Sequence, residues 1–237
     1  MFATSFWALL FFQAILFHQG IKFLFLSEAI GENIAVNHSE KLVADGKYIL
    51  KSEKNLITAM SAKNRDGSIN VLVEIPSGTN GKWEVNKETG NLDWEFKKGI
   101  PRVVQYLPYP ANYGMIPQTP SPEEIGGDGD PLDVLLLGEA VPRGAYVKGK
   151  LIGVMYMKDH GETDDKLLAV AEGSTFEIIN TVSELKEQFP GTLEILQTWF
   201  VNYKGIGEDM KVSGFAGKKE ADKVLNDAIK GYKKYGK

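Results

Sequence analysis

Asp128-Gly129-Asp130-Pro131-Leu132-Asp133 places three carboxylates within six residues and runs directly into the apolar sequence Val134-Leu135-Leu136-Leu137. The glycine and the proline favour a turn, and the apolar run predicts a buried strand that holds this turn in place. Carboxylate oxygens are the ligands that hard divalent cations such as Mg²⁺ prefer. A metal-binding turn and a solvated acidic turn both fit this spacing. An EF-hand calcium loop does not, because its sixth position would be Asp133 instead of the required glycine.

The composition of the chain restricts both its fold and its partners. With 237 residues, 43% of them hydrophobic, the chain suits one globular domain with an extension. A net charge of -4 without a basic block argues against nucleic acid as a partner. The absence of cysteine excludes disulfides, zinc-thiolate sites and cysteine nucleophiles. Because the three histidines are scattered along the chain, any catalytic metal has to be bound by oxygen.

Residues 1–30 form a hydrophobic segment that is typical of a signal or an anchor. Residues 6–17 are apolar except for Gln13, and Lys22 is the first basic residue. Three origins stay open: a cleaved secretory signal, an uncleaved anchor or a misplaced start codon. A signal predicts export to the periplasm or cell envelope, and the alternative is a cytoplasmic protein. Any membrane contact is expected only through residues 1–26.

The remainder of the chain is expected to divide into a polar arm at residues 31–69 and a folded domain at residues 70–237. Strand-like patterns occur at 69–75, 82–86, 92–96 and 167–171, and residues 147–157 indicate a pair of strands. On the second of these strands Lys82 and Glu84 share one face, because side chains alternate along a strand. The domain is therefore predicted to be mainly β.

A hairpin is predicted where residues 160–163 form a turn between two strands. It places Asp159 and Asp164 at the same loop end, while Asp164 and Lys166 share a face and Asp165 takes the other. Carboxylates that face each other repel unless a cation lies between them. A metal site and a solvated hairpin tip both fit this pattern.

Helices are predicted only in the last third of the chain. Ser183 is the expected N-cap of the first, and residues 193–203 carry apolar side chains at helical spacing. The final amphipathic helix is predicted over residues 216–235. Tyr203 and Lys204 then lie at a helix end, next to Gly205.

Acidic and basic side chains stand out at strand ends and rigid loops along the whole domain. Acids alone would indicate a metal buffer, and bases alone an anion pocket. Together they indicate cations that bind a polyanion whose other end is held by the bases, and phosphate is the natural polyanion. The acids are Glu74, Asp128, Asp130, Asp133, Asp159 and Asp164; the other groups are Lys82, Arg102, Lys166, Lys204, Tyr113 and Tyr203.

These motifs resemble the soluble family I inorganic pyrophosphatases. Residues 128–133 match the acidic signature D-G-D-P-x-D of that family. The other matches stand in family order: Glu74 with Pro76, Lys82-Trp83-Glu84, Arg102, Asn112-Tyr113-Gly114, Asp159 with Asp164 and Lys166, and Tyr203-Lys204. The likeness covers residues 70–235, and the first 69 residues have no counterpart in the minimal bacterial members.

The resemblance implies an α+β, mainly β fold: a distorted five-stranded OB-like β-barrel with flanking C-terminal helices. It implies magnesium-dependent hydrolysis of diphosphate to two phosphates by a metal-activated water, with several Mg²⁺ ions per site. It also implies a homo-oligomer, either a dimer or a hexamer. By the same resemblance Asp130 is the general base, and Glu84 supports Lys82. The implied metal ligands are Asp128, Asp133, Asp159, Asp164 and Glu74; the implied substrate-binding residues are Lys82, Arg102, Tyr113, Lys166, Tyr203 and Lys204.

Two other functions are compatible with parts of the pattern. An OB-type module with a structural metal could bind nucleic acid or sugar, although the negative net charge disfavours nucleic acid. An inactive relative could serve as an envelope protein, although the complete set of acids and bases disfavours it.

Overall fold

A computed structural model of the chain describes residues 36–39, 41–120 and 129–235. The hydrophobic segment 1–30 and Asp128 lie outside the described residues. The first strands are β1 (Val36–Ser39), β2 (Val43–Asp45), β3 (Ile49–Lys51), β4 (Ile69–Ile75), β5 (Trp83–Val85), β6 (Leu92–Trp94) and β7 (Phe96–Lys97). The later strands are β8 (Ile100–Pro101), β9 (Asn112–Met115), β10 (Asp133–Leu137), β11 (Ala145–Asp159), β12 (Glu162–Thr163), β13 (Lys166–Ala171) and β14 (Met210–Gly217). The helices are α1 (Val182–Gln188), α2 (Thr192–Asn202) and α3 (Lys218–Tyr235).

Five strands form a closed ring in the order β4, β9, β10, β13, β11 and back to β4. Closure depends on the length of β11, whose first residues pair with β4 and whose middle pairs with β13. β10 and β13 run parallel, and the other neighbours in the ring are antiparallel. Bulges interrupt the pairing of β4 with β9 and of β11 with β13. The predicted distorted five-stranded OB-like barrel is confirmed.

The 15 residues of β11 form one continuous strand where the sequence pattern indicated a pair. Its last residues pair with β14, a strand that the sequence pattern did not predict. The final helix therefore begins at Lys218 and not at residue 216, because Ala216 pairs with Val154 in this ladder.

A second, four-stranded sheet has the order β2, β3, β6, β5. Two of its strands come from the predicted arm, and β3 pairs directly with β6. Leu72 of β4 packs with Trp83 and Leu92 in one buried cluster, so this sheet covers one side of the ring.

Alternating side chains of the ring strands enter two further buried clusters. Val134 and Leu136 belong to one, which Ala221 and Leu225 of α3 complete. Leu135 and Leu137 belong to the other, together with apolar residues of α1 and α2. This alternation fixes the register of β10, because a shift by one residue would exchange its two buried faces.

The N-cap of the first helix differs from the one that the sequence predicts. Thr181, not Ser183, is the N-cap of α1: its hydroxyl accepts the backbone N–H of Glu184 at 3.0 Å. Ser183 lies inside the helix. Helix α2 covers Thr192–Asn202 and places Tyr203 at its C-cap, as the apolar spacing predicts to within a residue. No helix in the described ranges is long and apolar enough to cross a membrane.

Candidate active site

One cleft of about 1360 Å³ collects the side chains that the sequence singled out. Of the predicted site residues, Asp128 lies outside the described residues, and all the others line this cleft. They are Glu74, Lys82, Glu84, Arg102, Tyr113, Asp130, Asp133, Asp159, Asp164, Lys166, Tyr203 and Lys204. Acidic and basic groups that are distant in sequence therefore share one space.

The parallel pairing of β10 and β13 brings Asp133 and Lys166 together. Val134 pairs with Leu167 in this ladder. Asp133 and Lys166, which precede them, therefore lie at the same end of the two strands. The Lys166 ammonium lies 2.5 Å from Asp133 Oδ2 and also donates to Asp164 Oδ1. Burial alone would lower the pKa of Lys166, but these two carboxylates raise it. The lysine is therefore held in its charged form.

Asp133 and Asp164 differ in their balance of burial and charge. Burial would raise the pKa of Asp133, but Lys166 and Lys82 outweigh it and lower that pKa. Burial raises the pKa of Asp164, and the charge of Lys166 only partly offsets this rise. A second positive charge near Asp164 would therefore stabilise its ionised form.

The hairpin at the end of β11 supplies the next carboxylate. Asp159 is the last residue of that strand and pairs with Lys204, which follows the end of α2. Its other oxygen lies 2.7 Å from His160 Nδ1, and His160 Nε2 lies 3.0 Å from Glu208. His160 is an exposed turn residue, as its sequence position predicts. Asp165, which the sequence pattern placed on the other face, also lines the cleft, and its carboxylate accepts the backbone N–H of Met157 at 2.9 Å.

Glu74 lies deeper, with 5% of its surface exposed. Its carboxylate accepts the backbone N–H of Val85 at 2.8 Å. Burial raises the pKa of Glu74 to about 8, against the lowering effect of Lys82. Burial would lower the pKa of Lys82, but Glu74 and Glu84 raise it, and its ammonium lies 3.5 Å from Glu84. Glu84 is thus within ion-pair distance of Lys82, and its supporting role stays a prediction.

Two tyrosines add neutral hydrogen-bond donors to the cleft. Tyr113 is buried on β9, and the Lys82 ammonium lies 5.1 Å from the centre of its ring. Burial raises the pKa of Tyr113 well above its usual value, and burial also raises the pKa of Tyr203. Both hydroxyls therefore keep their protons at neutral pH and can donate to an anion.

Two ion pairs join cleft residues to side chains that the sequence did not single out, Glu95 and Lys87. Arg102 Nη1 donates to both carboxylate oxygens of Glu95, at 2.9 and 2.7 Å. The β7–β8 hairpin explains this pair. Phe96 pairs with Pro101, so the flanking residues Glu95 and Arg102 lie opposite each other. The turn at Lys98-Gly99 is a sequence signal that could have revealed it. The other contact joins Lys87 to Asp130 at 2.7 Å, and no local pattern connects these two residues.

Several carboxylates of the cleft lie next to lysine ammonium groups. Among the described residues, no three acidic or imidazole side chains are arranged to hold one ion by themselves. The ammonium groups of Lys166 and Lys204 occupy positions between or beside Asp133, Asp159 and Asp164.

The fold and the cleft define an OB-type barrel protein whose site combines acidic and basic groups. The sequence profile of the family described as inorganic pyrophosphatase matches residues 71–233. The chain is 36% identical over 169 residues to an inorganic pyrophosphatase of Corynebacterium efficiens, a match that covers 70% of this chain and 99% of that protein. It is 37% identical over 169 residues to one from Helicobacter pylori strain J99, with coverage of 70% and 91%.

Solved structures agree with this match. A type I inorganic pyrophosphatase from Toxoplasma gondii superposes with a TM-score of 0.72 at 26% identity, covering 82% of this chain and 98% of that one. The Helicobacter pylori enzyme superposes with a TM-score of 0.63 at 34% identity, covering 74% and 99%. The chain therefore belongs to the inorganic pyrophosphatase family.

Proposed function

We propose that this protein hydrolyses inorganic diphosphate to two phosphates with the help of Mg²⁺. The observation that carries the proposal is the cleft itself, in which carboxylates, lysines, an arginine and two tyrosines from distant parts of the chain converge. Such a mixture suits a small polyanion together with the cations that neutralise it. Family membership supports the same activity.

The donor set fits hard divalent cations, because every acidic group in the cleft offers carboxylate oxygen. Asp128, Asp133, Asp159 and Asp164 would hold the ions, and Glu74 would help through water. The buried Glu74 supports this fit, since a nearby cation would favour the ionised form that burial disfavours. When bound, the ions neutralise substrate charge and activate the attacking water.

The basic groups would bind the phosphoryl oxygens. Lys166 and Lys204 are already paired with carboxylates of the proposed metal site. Binding of cations and substrate therefore requires an exchange of partners: the carboxylates turn to the cations and the lysines turn to phosphate. Lys82, Arg102, Tyr113 and Tyr203 complete the phosphate site, and the guanidinium of Arg102 can bind two oxygens at once.

Asp130 would be the general base. Its carboxylate is half-exposed on the cleft wall, so it can reach a water in the open part of the cleft. The negatively charged diphosphate resists attack by water, which explains why cations and a base are both needed.

A turnover assay tests the proposed function. We expect Mg²⁺-dependent release of phosphate from diphosphate and none from a phosphate monoester, with loss of activity on chelation and recovery when Mg²⁺ is returned. An absence of turnover at every Mg²⁺ concentration would contradict the proposal and favour an inactive relative or a binding module.

Assembly and location complete the proposal. We infer a homo-oligomer, a dimer or a hexamer, which light scattering on the purified protein would distinguish from a monomer.

We also infer export to the periplasm or envelope if residues 1–30 act as a signal, and a cytoplasmic location otherwise. Sequencing the amino terminus of the native protein shows whether the mature chain begins near residue 30, as a cleaved signal predicts, or at Met1.

A further inference from the structure

We propose that Lys87 is a positioning residue for Asp130, an inference that rests on the proposed diphosphate hydrolysis. The Lys87 ammonium lies 2.7 Å from Asp130 Oδ1, and both side chains line the cleft. The ammonium also lies over the turn that carries Asp130, since a β-carbon on Gly129 would be 3.6 Å from it. Lys87 thereby holds one carboxylate oxygen and fixes the plane of the group.

The backbone that carries Lys87 is itself held in place. Asn86 Oδ1 accepts the N–H groups of Glu88 and Thr89, at 2.9 and 3.1 Å. The backbone N–H of Asn86 donates to Asn91 O at 2.8 Å, and its side-chain amide donates to Asp93 Oδ2 at 2.9 Å. Lys87 therefore extends from an ordered turn and not from a free loop.

The turn with Gly129 and Pro131 restricts the backbone of Asp130 but does not by itself set the orientation of its side chain. It follows Gly129, whose φ of 78° lies in the left-handed region, and strand β10 begins three residues after it, at Asp133. Its side chain is 54% exposed, so packing alone does not set its rotamer. A base that is displaced from its productive position loses much of its rate advantage.

The same exposure makes the contact a poor candidate for a purely structural role. Ion pairs between half-exposed side chains contribute little to folding stability. The chain contains a matched pair elsewhere: Lys51 and Asp45 also approach to 2.7 Å and have similar exposure, but they lie on β2 and β3, outside the cleft residues. Removal of either lysine is therefore expected to leave the unfolding temperature unchanged.

The experiment compares Lys87→Met, Lys87→Arg and Lys51→Met with the wild-type chain. For Lys87→Met we expect kcat on Mg²⁺-diphosphate to fall about tenfold, while KM stays within about twofold, because the residue acts on the base and not on the substrate. Lys87→Arg should recover most of kcat, since it retains a cation for Asp130. Lys51→Met should behave as wild type.

A double-mutant cycle then tests whether Lys87 acts through Asp130. On the Asp130→Asn background, Lys87→Met should change the residual kcat by no more than about twofold. An equal tenfold fall on both backgrounds would overturn the inference. A raised KM with unchanged kcat would overturn it as well, because it would make Lys87 a substrate ligand.

The outcome for the wild-type chain separates the two proposals. If the wild type hydrolyses diphosphate and Lys87→Met is equally active, only the role of Lys87 is refuted. If the wild type releases no phosphate, the proposed function and the inference drawn from it both fail.

Discussion

Lys166 is enclosed between Asp133 and Asp164, with 3% of its side chain exposed. In this position one ammonium lies between two carboxylates and reduces the repulsion between them. The cost of removing a buried ion from water is offset only while both partners are present. Lys166 therefore contributes to stability in addition to its proposed role in phosphate binding.

Replacing Lys166 with methionine should destabilise the metal-free protein by about 3 kcal/mol, because it leaves two partly buried carboxylates without their cation. Mg²⁺ should restore part of this loss, since the ion supplies the missing positive charge. Urea unfolding with and without Mg²⁺ measures both effects. Lys148→Met is the matched control, because Lys148 also bonds two carboxylates, Asp66 and Glu172, but at the surface. Equal losses for both variants would contradict the argument.

Asp130→Asn should lower kcat by about 10²- to 10⁴-fold, which is the usual contribution of a general base. The amide keeps the shape of the side chain but cannot accept the proton. Fold and cation binding should persist, so the rise in unfolding temperature on adding Mg²⁺ should match that of the wild type. Asp45→Asn removes a comparably exposed carboxylate from β2, outside the cleft, and serves as control. Turnover close to that of the wild type would remove Asp130 from this role.

At the scale of elements, the sequence patterns located β4, β5, β6, β10 and β13, but they missed the ring strand β9 as well as β14 and could not show how the strands pair. The run 134–137 reads as a buried strand from its sequence, yet its parallel alignment with β13 depends on a partner far along the chain. That alignment places Asp133 next to Lys166. The sequence therefore predicts which residues belong to the site, whereas the ionic partner of each follows only from the topology.

The errors at element ends have local causes. Thr181 and Ser183 are both good N-caps, and the choice between them depends on the backbone: Thr181 is extended, at φ -139° and ψ 158°, and so can cap. Strand β14 was not predicted because residues 210–217 contain glycines and show no regular alternation of buried and exposed side chains. Its strand conformation is imposed by pairing with β11.

Gly114 lies in β9, between β4 and β10, where the strands approach too closely for a side chain. A β-carbon at this position would lie 1.9 Å from the Leu72 carbonyl oxygen. Gly114→Ala should therefore destabilise the fold by about 2 kcal/mol or more, because backbone has to move. It should also lower kcat, since the neighbouring Tyr113 moves with the strand. Thermal unfolding and turnover check both effects.

Gly217→Ala is the appropriate control, because its β-carbon would meet nothing closer than 3.9 Å, at Glu220. It should retain stability and activity. If Gly114→Ala unfolds at the wild-type temperature, the close approach of β9 to β4 is not the reason for glycine at this position.

Across the whole molecule, the ring gathers the ends of β10, β11 and β13 with the end of α2 into one highly charged region. Asp133, Asp159 and Asp164 are each paired with a lysine, although the cleft as a whole carries more acidic than basic side chains. This pairing explains how cations and a polyanion can bind together: each releases groups that the other needs. Binding of the two ligands should therefore be cooperative.

This cooperativity can be measured without turnover. Methylenediphosphonate and Mg²⁺ together should raise the unfolding temperature by more than the sum of their separate effects, because each neutralises charge that repels the other. A ligand at 100 times its dissociation constant stabilises by about 2.7 kcal/mol, which a scanning calorimeter resolves easily. Lys204→Met should keep the Mg²⁺ shift, since it frees Asp159, but should lose part of the shift that depends on the diphosphonate. Simple additivity in the wild type would show that cations and lysines do not exchange partners in this cleft.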